Sequence, residues 1–103
     1  MWDYQIIKQK FYRLAQDAEN NVRKDKLKAQ KVPLVYRDFH DISLARLDVY
    51  ALLSTSHYQT KQDFIDALKQ HLESSVKNSN AFDEKRYSDA RGNYIRDLIA
   101  EYQ

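Results

Sequence analysis

Apolar residues near the start of the chain, Tyr4, Ile7, Phe11, Leu14 and Ala18, recur at alternating intervals of three and four, with Val22 one turn further on. At 3.6 residues per turn this spacing gathers them into a seam along one face of a helix. The pattern predicts a first helix over residues 3–30, with Trp2 and Ile6 widening the seam. Asp3 is placed to cap its start, and the lysines at its end complement the negative pole of the helix dipole. Such a helix is about 42 Å long at 1.5 Å per residue.

The next apolar block behaves differently. Pro33 lacks an amide donor and disfavours helical geometry in the residue before it, so the first helix should break between Gln30 and Val32. Val32 to Tyr36 then reads as an extended, mostly apolar connector. Asp41, or Asp38 before it, can cap a second helix running to about Ser54. Its residues Ile42, Leu44, Ala45, Leu47, Val49, Tyr50, Ala51, Leu52 and Leu53 cover most of the circumference, which marks a buried helix at the centre of the core.

After a polar loop from Ser54 to Gln59, Thr60-Lys61-Gln62-Asp63 resembles a capping box with Asp in place of Glu or Gln. Phe64, Ile65, Leu68, Leu72 and Val76 follow at helical spacing and predict a third helix over about 61–77. Asn78-Ser79-Asn80 is a second loop. Asp83 then caps a fourth helix to about Glu101, with Tyr87, Tyr94, Ile95, Leu98, Ile99 and Tyr102 along its stripe. Gly92 sits inside it, where glycine costs roughly 1 kcal/mol against alanine. A close helix approach, a bend or simple tolerance would each account for it.

Composition supports this picture: one proline and one glycine leave 103 residues few tight turns. The expected fold is all-α, a single domain over 1–103, a compact antiparallel bundle of about four helices with a long first helix. The last two turns of that helix outreach the others, and either project past the bundle or pair with another chain. The chain has no cysteine, which excludes disulfides and thiolate metal sites. Its first residues carry no basic and apolar signal pattern, and no stretch is apolar enough to span a bilayer, so a cytoplasmic protein without membrane contact is expected.

Charge is unevenly placed. Arg23, Lys24, Lys26, Lys28, Lys31 and Arg37 face only Asp25 between residues 22 and 37, a local surplus of five, while the whole chain carries +2. The remainder is therefore net negative by three. Candidate chemistry is sparse. Asp38-Phe39-His40-Asp41 offers carboxylates and imidazole together, but no further ligand shares the helical spacing that metal motifs use, and helix capping explains it better. A single glycine cannot build a phosphate loop, and no nucleophile elbow is present. The expectation is a protein without enzymatic activity and without a cofactor.

Eight tyrosines against four phenylalanines suggest half-wet boundaries or an interface. Tyr4, Tyr94 and Tyr102 fit apolar stripes, whereas Tyr12, Tyr36 and Tyr58 lie off them. These observations point to a protein-binding module of inhibitor, immunity or adaptor type. Its partner surface would comprise Arg23, Lys24, Lys26, Lys28, Lys31 and Arg37 with Tyr12, Tyr36 and Tyr58, meeting an acidic protein. The same cations on phosphates, with Tyr36 or Phe39 stacking on a base, give the alternative of a nucleic-acid-binding accessory protein. A homodimer through the first helix is a third possibility.

Overall fold

The computed structural model describes the backbone of residues 1–103 and every side chain but that of Pro33. Four helices follow one another: α1 (Tyr4–Ala29), α2 (Pro33–Ser54), α3 (Lys61–Glu73) and α4 (Glu84–Tyr102). No strand occurs among the described residues. Three of the caps read from the sequence are in place. Asp3 accepts the Gln5 amide, Thr60 that of Asp63, and Asp83 those of Lys85 and Arg86. Each satisfies amides that have no partner inside the helix.

The stretch after the first helix is corrected. Residues 32–36 form no extended connector, because α2 begins at Pro33 itself. Proline suits a first helical position, where its missing amide would have had no intrahelical partner. Only Gln30 to Val32 separate the two helices, held by Lys31 and Val32 amides on the Lys28 carbonyl at 3.0 and 2.9 Å. Asp38 and Asp41 therefore lie inside α2 and do not cap it. The end of α1 neither projects alone nor waits for another chain; it runs antiparallel along the first turns of its own α2. Ala15, Ala18 and Ala29 are buried on its inner face. At 26 and 22 residues the two helices make a long hairpin, and the molecule measures 48 × 25 × 20 Å.

α2 packs against both α1 and α4, and α3 packs against α4. The main core lies at the end of the hairpin away from its turn. There Tyr4, Phe11, Val49, Leu53, Phe64, Ile65, Leu68, Ile95 and Leu98 are buried together, with Trp2, Tyr58 and Tyr102 packed on them. Tyr4 donates its hydroxyl to the Leu53 carbonyl at 2.6 Å, and Trp2 Nε1 donates to the Tyr58 carbonyl at 2.9 Å. Burial pushes the Tyr4 hydroxyl well above the ordinary tyrosine range. The α1 seam is thus occupied inside its own molecule. Trp2 joins the core as expected, while Ile6 stands exposed.

A smaller cluster of Leu44, Ala45 and Tyr87, flanked by Val22, Ala81 and Ala90, carries the packing toward the turn. α2 is not buried all round, since Leu52 and Phe39 are exposed. α3 ends at Glu73 and stops short of residue 77. Ser74 turns extended, and the buried Arg91 donates Nη1 to the His71 carbonyl at 3.0 Å. At Gly92 no other helix approaches: a Cβ there would meet only the Arg96 guanidinium, 3.3 Å away.

Candidate functional site: the end of the α1–α2 hairpin

Toward the turn, Arg37 lies over Phe82 and Asp38 pairs with Arg86, while the large apolar side chains of this end face solvent. Five large apolar residues are exposed in this short region: Leu27, Val32, Leu34, Val35 and Phe39, with Leu34 at 82%. An isolated exposed leucine needs no explanation, but a concentration of apolar groups at one end of a small domain does.

The basic residues named from the sequence gather at the same end. Arg23 pairs with Glu19 at 2.7 Å, so its charge is met locally. Lys24, Lys26 and Lys31 are exposed and form no ion pair among the described residues. Lys28 lies over the Tyr36 ring, 5.4 Å from its centroid, and Arg37 over the Phe82 ring at 5.1 Å. Tyr36 in turn meets Phe39 edge-on at 6.0 Å. Asp25 is half-buried and accepts the Ser43 hydroxyl at 3.4 Å, which ties α1 to α2 just below the cations.

Two of the proposed anchors lie elsewhere. Tyr58 belongs to the aromatic core at the opposite end, edge-on to Tyr4 at 5.1 Å. Tyr12 is exposed on the outer side of α1, about 22 Å along the helix from Leu27 at 1.5 Å per residue. An extended connector over 32–36 gives no reason to group Val32, Leu34 and Val35 with Phe39 on one surface. Read as helix, Val35, Phe39 and Ile42 fall at i, i+4 and i+7 on one face, and that periodicity was the available signal.

Beneath the hairpin end sits a buried polar network. His40 and Asp41 are 2% and 0% exposed. The Asp41 carboxylate accepts His40 Nδ1, the Phe82 and Asp83 amides (each at 2.9 Å), and Arg86 through Nε at 3.2 Å and Nη2 at 2.8 Å. Arg86 also reaches Asp38 at 2.6 Å. Burial raises the Asp41 carboxyl, but the donors from His40, Phe82, Asp83 and Arg86 more than offset this and hold it below its ordinary range. Asp41 thus fastens the start of α4 to the middle of α2. The His40 ring lies edge-on to Phe82 at 4.8 Å, so the His–Asp pair is sealed from solvent and free for no substrate.

Among the described residues, no three His, Asp or Glu side chains converge as metal ligands, and no helix is long and apolar enough to cross a membrane. Compared with known protein families, curated proteins and solved structures, the chain matches none.

Proposed function

We propose that this chain is a non-enzymatic protein-binding module of inhibitor, immunity or adaptor type, acting in the cytoplasm through the end of its α1–α2 hairpin. One observation carries this reading: unpaired Lys24, Lys26 and Lys31 stand among exposed Leu27, Val32, Leu34 and Val35. Protein interfaces combine an apolar centre with a charged rim, and the sign of this rim selects an acidic partner. A phosphate backbone would use the cations but leave the aliphatic side chains in water, which disfavours the nucleic-acid alternative.

The test is charge reversal of Lys24, Lys26 and Lys28 to Glu in one protein. All three side chains are exposed, so the fold should stay intact, with only a small fall in the unfolding midpoint from the lost helix-end and Tyr36 contacts, while capture of the partner from the native host is lost. Retained capture would remove the proposal. Fluorescence anisotropy with generic DNA and RNA at low salt separates the alternative: saturable binding, lost in the same variant, would replace the protein partner by nucleic acid.

A further inference from the structure

The exposed groups on the hairpin are ordered in two parallel stripes. On α2, Val35, Phe39 and Ile42 recur at i, i+4 and i+7, with Val35 and Phe39 at 50% and 49% exposure. On α1, Lys24 and Lys28 are one turn apart, and Lys31 follows in the turn between the helices. The stripes adjoin on one side of the hairpin, since Lys28 covers the Tyr36 ring and Tyr36 meets Phe39. Ile42 borders an open groove of about 370 Å³ between α2 and α4, whose other walls are mostly charged and polar: Asp83, Lys85, Arg86, Asp89 and Asn93, with Ala90. One step further, at i+11, Arg46 stacks on Tyr94 at 4.5 Å. Stacking occupies the face of the guanidinium; its Nε holds no hydrogen-bond acceptor, and no carboxylate pairs with it among the described residues.

We infer that this side of the hairpin seats an amphipathic helix of the partner protein, with its apolar stripe on Val35, Phe39 and Ile42 and acidic residues along the flank that meets Lys24, Lys28 and Lys31. The inference rests on the protein-binding reading above and adds the shape and polarity of what is bound. The two stripes run straight and side by side along the hairpin, which suits another helix packed lengthwise, its own anchors at i, i+3 or i+4, and i+7 set against Val35, Phe39 and Ile42. The lysine row sets which flank of the incoming helix is negative. A second copy of this chain or a nucleic acid is the competing occupant, and each predicts a different adduct.

Photo-crosslinking in the native host decides the matter. Benzoylphenylalanine placed at position 39 should form an adduct with a peptide that is net negative and has apolar residues at helical spacing, whereas the same group at position 12 should not. The F39A variant should lower capture at least tenfold with its unfolding transition unchanged, because the side chain it removes is half exposed. Loss of capture in the lysine-reversed protein together with full capture by F39A would overturn this inference and leave the protein-binding reading standing. Full capture by the lysine-reversed protein overturns that reading itself. Adducts at position 39 with nucleic acid, with a second copy or with nothing also overturn the helix.

Discussion

Asp41 shows how much one side chain can be asked to do. It lies in the middle of α2, fully buried, and terminates five hydrogen bonds from His40, Phe82, Asp83 and Arg86. A carboxylate taken out of water is costly unless donors surround it, and here they do. The Asp41→Asn variant keeps the volume but removes the charge and turns one acceptor oxygen into a donor that faces the donors around it, while Arg86 keeps Asp38. Leaving buried donors without an acceptor in this way should cost on the order of 2 kcal/mol in urea unfolding. An unchanged midpoint would mean that the network contributes nothing. The pH dependence has a definite sign. Because the folded carboxyl lies below its ordinary range, its contribution is present above the unfolded pKa of about 3.9 and fades as pH falls through the folded value. The stability lost between pH 7 and pH 3 should therefore be smaller in D41N than in the parent chain. Apart from the adjacent His40, these donors could not be read from sequence, since Phe82, Asp83 and Arg86 stand more than forty positions from Asp41.

At the scale of elements, the helix starts were the most legible features. Asp3, Thr60 and Asp83 cap where their short polar side chains precede apolar periodicity, because an N-cap bond closes within three residues. Ends and breaks were less so. Proline forbids continuation of one helix and also favours the first turn of the next, and only the helical spacing of Val35, Phe39 and Ile42 favours a three-residue turn over an extended connector. The end of α3 depends on Arg91, which belongs to another helix. Gly92 gives a test on α4. Its neighbourhood holds only the movable end of Arg96, already near Asn93 at 3.1 Å. Gly92→Ala should therefore raise stability by about 0.5–1 kcal/mol, seen as a higher urea midpoint. A lower midpoint would show that Arg96 cannot yield and that the glycine is needed there.

At the scale of the molecule, packing is graded along the hairpin. One end holds an aromatic core fed by all four helices, the middle holds Leu44, Ala45 and Tyr87, and the turn end holds only α1 against α2. Tyr87 is fully buried with its hydroxyl on the Asp48 carboxylate, and burial, then that bond, push it far above the ordinary tyrosine range. This accounts for much of the tyrosine excess: Tyr12 alone of the eight is exposed. The gradient predicts unequal opening. Amides of residues 27–36 should exchange with deuterium faster than those of 44–53, because few buried contacts must be broken to release the hairpin end. Equal protection along the hairpin would contradict the gradient, and protection gained at 27–36 on adding the partner would map its footprint.

The sequence by itself determined the helical class, the number of helices, the N-caps of α1, α3 and α4 and the concentration of positive charge between Arg23 and Arg37, because each rests on residues within a turn or two of one another. Tertiary structure decided that the basic end of α1 lies against its own α2, that Tyr58 is core while Phe39 is surface, and that Asp41 joins two helices. Those outcomes depend on which faces of different helices meet, and hydrophobic periodicity states only that a face must be covered, never by what.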